Sequence, residues 1–198
     1  AGPDQEICPG ALLLIGENTP DGGMPPYRYS WTPTEGTRTP DNFLTIVAPD
    51  STTDYVLTIT DSLGCVVRDT VRVIVLDPPV VDAGSDTAFC AGRSVTIGMP
   101  ATGVAPPFIY RWEPSTGLDR TDIPSPVARP PASLSYYLTV TDARGCVGRD
   151  TVIVTVVNPP VITVSGGGSI CIGDTAELHG SVSGGTPPYT VLWGPAAG

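Results

Sequence analysis

The sequence predicts an all-β protein made of small antiparallel β-sandwiches in tandem. Three observations carry this expectation. First, runs rich in β-branched residues, "DYVLTIT" (Asp54–Thr60), "DTVRVIVL" (Asp69–Leu76), "SYYLTVT" (Ser135–Thr141) and "DTVIVTVV" (Asp150–Val157), are bounded by turn residues, as strands are. Second, no stretch sustains a helical period. Third, the chain repeats itself every 81 residues, and a repeat of that size marks a tandem architecture.

The repeat is visible in "GGMPPYRYSW" (Gly22–Trp31), "GVAPPFIYRW" (Gly103–Trp112) and "GGTPPYTVLW" (Gly184–Trp193). Later in the unit, "TITDSLGCVVRDTVRVIVLDPP" (Thr58–Pro79) aligns without a gap on "TVTDARGCVGRDTVIVTVVNPP" (Thr139–Pro160). The units are 1–79, 80–160 and 161–198. The first lacks the strand residues that precede Ala83-Gly84, and the third stops halfway, so the chain reads as a window cut from a longer array. Strands are expected in the second unit near 86–90, 94–99, 108–113, 125–129, 134–142 and 146–157. Six or seven short strands in about 80 residues fit an immunoglobulin-like sandwich.

Within each opening motif, alternation puts Tyr27, Tyr29 and Trp31 on one strand face and Arg28 and Ser30 on the other. The same face holds Phe108, Tyr110 and Trp112, then Tyr189, Val191 and Trp193. Valine in the tyrosine slot favours an apolar contact over a sugar-stacking platform. Tyr27, Trp31, Phe108, Trp112, Tyr189 and Trp193 are therefore expected core markers. The linkers "LDPPVVDAG" (Leu76–Gly84) and "VNPPVITVSG" (Val157–Gly166) hold diprolines, which stiffen an extended backbone and predict a semi-rigid, rod-like array.

Charge narrows the function. The 198 residues include ten Arg and no Lys against twenty acidic residues, a net charge of −10. A nucleic-acid backbone needs clustered cations, so that partner is excluded. The longest apolar runs, such as Val152–Val157, are too short to span a bilayer. No signal peptide opens the chain, which is expected to reflect its removal or truncation.

Each complete unit holds two cysteines. Cys8 is expected to pair with Cys65 and Cys90 with Cys146, leaving Cys171 without its mate. No metal-site spacing occurs, and His179 is the only histidine. A bridge closing about 57 residues would add roughly 4 kcal/mol on the chain-entropy account, which matters for so small a core. Persisting disulfides place the chain in an oxidising compartment, secreted or at the cell surface.

The combination "PPY-x-Y-x-W", "YxLTVTDxxGC" and "RDTVxVxV" resembles the PKD-like and Ig-like repeats of very large Bacteroidota surface proteins, gliding-motility adhesins among them. The resemblance covers both full units and the visible part of the third. It implies export, through the C-terminal-signal route of that phylum, and a part in adhesion or in a stalk. It also implies O-glycosylation at Asp-Ser/Thr followed by an apolar residue or Thr, which points to Ser62 first, then Ser51, Thr70, Thr87, Thr151 and Thr175. Absence of Lys excludes the Lys–Asn isopeptide crosslinks of other stacked Ig-like surface proteins.

Catalysis finds no candidates. One histidine in the chain leaves no Ser-His or Cys-His pair in either full unit, and no phosphate-binding glycine loop opens a helix. The chain is read as non-enzymatic and without a cofactor. Calcium is the one weak candidate, at Asp61 and Asp142 in the turns "TDSLG" and "TDARG". The plainer reading has these carboxylates accept backbone N–H bonds within a tight turn. Arg68 and Arg149 are expected to form surface pairs with Asp69 and Asp150.

The function expected is a structural repeat segment of an extracellular adhesin or stalk. Its partners would be neighbouring repeats, identical chains packed laterally into a filament, and surface glycans; mean hydropathy of +0.12 suits such packing. The alternative is a carbohydrate-binding or spacer module of a secreted polysaccharide-degrading enzyme, which would need solvent-facing aromatics in a row.

Overall fold

The computed structural model describes residues 1–17 and 19–194. Fourteen strands and no helix make up its regular structure among those residues. The first repeat contains β1 (Gln5–Ile7), β2 (Leu13–Ile15), β3 (Arg28–Thr32), β4 (Thr45–Val47), β5 (Thr53–Thr60) and β6 (Val66–Val75). The second contains β7 (Thr87–Cys90), β8 (Val95–Thr96), β9 (Ile109–Glu113), β10 (Val127–Ala128), β11 (Leu134–Thr141) and β12 (Val147–Val157). β13 (Val161–Gly166) and β14 (Leu178–Ser183) belong to the third.

Each full repeat builds one four-stranded sheet, ordered β1-β6-β5-β3 or β7-β12-β11-β9, and one two-stranded sheet, β2-β4 or β8-β10. These are tandem Ig-like β-sandwiches. Their strands match the six read from the second repeat to within two residues at the ends, apart from the short β8. One pairing departs from the antiparallel expectation. β1 runs parallel to β6, with Gln5 opposite Val73 and Ile7 opposite Val75, and β7 runs parallel to β12. Parallel strands need a long connection, and here the whole sandwich supplies it.

Alternation decides which residues fill the core. Along β5 and β6, Tyr55, Leu57, Val71 and Val73 face inward and meet Trp31, Ile7, Ile15 and Val47. The counterparts in the second repeat, Tyr136, Leu138, Val152, Val154 and Trp112, are buried in the same way. Trp31 donates its indole N–H to Asn42 O at 3.0 Å and Trp112 to Ile123 O at 3.0 Å. Tyr27 and Phe108 are half-buried.

The third repeat corrects the reading of its aromatics. Tyr189 and Trp193 are 41% and 53% exposed, and the third repeat pairs only β13 with β14 among the described residues. The second linker is also shorter than expected. Val161–Gly166 alternates β-branched residues and pairs in antiparallel register with Leu178–Ser183 rather than serving as a connector.

Two compact units emerge, and they do not follow the 81-residue period. The first is Ala1–Val81 together with Ala101–Tyr110 and Thr139–Arg149. The second comprises Asp82–Pro100, Arg111–Leu138 and the residues from Asp150 onward. Loop ends of the second repeat thus fold with the first.

Candidate functional site

The chemistry of the first unit gathers where those loop ends meet the first repeat. It begins with a turn. In "TDARGC", Asp142 N–H donates to Cys146 O at 3.0 Å and Gly145 N–H to Asp142 O at 3.1 Å. Gly145 takes a φ of 87°, a left-handed conformation that other residues adopt only at a cost. Asp142 Oδ1 accepts the amides of Arg144 and Cys146, both at 2.9 Å, and so fixes the cysteine at the start of β12. The copy in the first repeat is built alike, with Asp61 Oδ1 accepting from Leu63 at 2.9 Å and Cys65 at 2.8 Å. Met24 N–H reaches Asp61 Oδ2 at 3.2 Å. These amide donors, Cys65 first, hold the Asp61 carboxyl below its usual range against a weaker opposing effect of burial.

The two aspartates proposed for calcium are thus surrounded by N–H donors, whose positive ends disfavour a cation. Asp4 and Asp86 spend their oxygens similarly, on the amides of Arg72 and Ile153 at 2.9 and 2.8 Å. Asp150 accepts from the Ala83 amide at 2.7 Å, and in the first repeat Asp69 accepts from the nitrogen of Ala1, the counterpart of Ala83. Among the described residues, neither Arg68 nor Arg149 forms the expected ion pair with Asp69 or Asp150. Arg72 pairs across strands with Asp54 at 3.8 Å.

The disulfide overturns the expected pairing. Cys8 is bonded to Cys146, with Cα atoms 5.2 Å apart, while Cys65 and Cys90 are unpaired and exposed, as is Cys171. The reason lies in the parallel register. Ile7 sits opposite Val75, so Cys8 emerges at the far end of β6, whereas Cys65 directly precedes Val66 at its near end. Ten residues of strand separate them, roughly 30 Å. A disulfide needs Cα atoms within about 7 Å. The same holds in the second repeat, where Cys90 sits opposite Val157 and Cys146 precedes Val147. The bond within the first unit therefore joins the end of one repeat to the opening turn end of the next.

Other contacts converge there. Val80 and Thr102 exchange backbone hydrogen bonds at 2.8 and 3.1 Å, and Pro79 is buried. Gly148 is required, because a Cβ at that position would lie 2.3 Å from the Pro79 carbonyl oxygen. Arg144 Nη1 stands 3.6 Å from Glu6 Oε2, an exposed pair worth about 0–1 kcal/mol. The diproline linker, two loop ends and a covalent bond thus form one seam.

The aromatic motif is not a sugar platform in the full repeats: Trp31 and Trp112 are buried and Tyr27, Tyr29 and Phe108 half-buried. Of the hydroxyls picked for modification, Ser51, Ser62, Thr70, Thr151 and Thr175 are exposed and Thr87 is half-buried. Among the described residues, no helix is long and apolar enough to cross a membrane.

No protein-family model and no curated protein matches the chain. Solved structures that it resembles are tandem Ig domains. The N-terminal eight Ig domains of Down Syndrome Cell Adhesion Molecule align at 17% identity and a TM-score of 0.46, over 95% of this chain and 32% of that one. Extracellular domains 3–5 of Drosophila OTK align at 13% identity and a TM-score of 0.35, over 86% of this chain and 67% of theirs. Titin domains I67–I69 align at 12% identity and a TM-score of 0.35, over 94% of this chain and 74% of theirs.

Proposed function

We propose that the chain is a non-enzymatic structural segment of an extracellular adhesin or stalk, in which a disulfide ties one repeat to the next. The observation that carries the reading is the Cys8–Cys146 bond, which spans 138 residues and two repeats. A bond within a sandwich would guard that sandwich alone. This bond instead holds the seam between consecutive repeats, where tension along the chain would otherwise open it. Disulfides persist in oxidising compartments, which supports placement outside the cell, and the resemblance to Bacteroidota surface repeats supports the same placement. Exposed hydroxyls at Ser51, Ser62, Thr70, Thr151 and Thr175 are proposed carriers of O-linked glycans. A tryptic peptide 39–68 from the native protein, which carries Ser51 and Ser62, with a mass above that of its bare sequence would bear this out, and bare-sequence masses for every peptide carrying these residues would remove it.

The mechanical reading is tested by pulling the chain from its two ends in a single-molecule instrument. With the disulfide intact, force reaches only the residues outside the bonded loop. The 138-residue separation hides about 45–50 nm of contour length. Adding reductant is expected to release that length. Full extension without reductant would remove the mechanical role.

A further inference from the structure

The unpaired cysteines are not scattered. Cys65 stands in the first repeat where Cys146 stands in the second, and Cys90 stands where Cys8 does. The surface beside Cys65 is likewise the counterpart of a covered surface. In the second repeat Ala105, Asp142 and Cys146 are buried, Val80 pairs with Thr102, and Pro79 is buried beside Gly148. The third repeat keeps the register, with Val161 opposite Ser183. In the first repeat the corresponding place is an open cleft of about 440 Å³ whose lining includes Asp21, Gly22, Asp61, Cys65 and Val67. Met24, the counterpart of Ala105, is 55% exposed, and Leu63, the counterpart of Arg144, is 73% exposed.

We propose that this cleft is the receiving half of a second junction. It takes the Pro-Pro-Val linker and the Cys8-type cysteine of another repeat of this same kind, and Cys65 closes the bond. Asp21 pairs with the incoming valine as Thr102 pairs with Val80. Leu63 meets the counterpart of Glu6, which in the second repeat is Ala88, so an apolar contact replaces the ion pair. Val67 occupies the place of Gly148, so the incoming linker carbonyl runs displaced from the path that Pro79 takes. Chemically, two thiols lose two protons and two electrons to form one disulfide. A small-molecule or protein disulfide accepts them and leaves as two thiols.

The proposal deepens the reading of the chain as a disulfide-tied array, and one experiment separates the two. A second copy of residues 83–160, followed by Val-Val-Asp, is placed ahead of Ala1, with all 198 residues retained. The protein is oxidised with a glutathione redox buffer, alkylated, digested and mapped without reduction. The expected result is a peptide linking Cys65 to the added copy of Cys90, alongside the Cys8–Cys146 link as internal control. Cys90→Ser in the added copy is then expected to return Cys65 to alkylation. Cys65 found alkylated, or joined to any other cysteine, while Cys8–Cys146 forms, would overturn the second junction and leave the first standing. Loss of Cys8–Cys146 as well would overturn both.

Discussion

Trp31 and Trp112 are buried large rings whose indole N–H groups keep a carbonyl partner, so neither burial leaves a polar group unsatisfied. Trp31→Ala is expected to destabilise the first repeat by about 3–5 kcal/mol, read from urea unfolding. Trp193→Ala, at a half-exposed ring, is expected to change little. The tryptophans were legible from period-two alternation alone. The difference among the copies was not, because burial depends on the packing of β5 with β6 and of β11 with β12 over the ring, which alternation within one strand does not report. Asp61 and Asp142 were legible as turn-makers from the glycine three residues on. Because amide donors lower the Asp61 pKa in the fold, its contribution is complete above the ordinary value of 3.8 and is lost as pH falls through the lower folded value. Asp61→Asn keeps an acceptor for Leu63 and Cys65 and is expected to flatten that acid limb, while Asp61→Ala loses the turn at every pH. Acid titrations of the three proteins, followed by tryptophan fluorescence, check this.

Among the elements, β1 and β6 explain most. The β-branched alternation of "DTVRVIVL" announces a strand, and its inward residues Val71 and Val73 follow from the pattern. Nothing in that pattern says whether β1 lies parallel or antiparallel to it. That direction decides which end of β6 Cys8 reaches, and so decides the disulfide. Two cysteines per repeat suggest a bridge within each repeat, whereas the strand direction sends each to an opposite end. Gly148 is a second case of hidden cause: in sequence it is one glycine in a strand, and in the fold it admits the Pro79 carbonyl. Gly148→Ala is expected to cost about 1–3 kcal/mol through overpacking at the seam. The check is a lower thermal midpoint that persists in the reduced protein, whereas Gly10→Ala, with nothing within 4 Å, changes only through its own backbone.

At the scale of the molecule, the 81-residue period made the repeats legible, with the sandwich in each, but not the way they are tied. The seam draws on residues 79–80, 102, 144–148 and 6–8, which lie far apart in the chain and meet only once two repeats are folded. The central claim is that the covalent bond runs from repeat to repeat. Non-reducing tryptic mapping of the oxidised chain tests it directly, since arginines place Cys8 in peptide 1–28, Cys65 in 39–68, Cys90 in 73–93 and Cys146 in 145–149. The account predicts that 1–28 is crosslinked to 145–149, with 39–68 and 73–93 alkylated. Crosslinks of 1–28 to 39–68 and of 73–93 to 145–149 would contradict it.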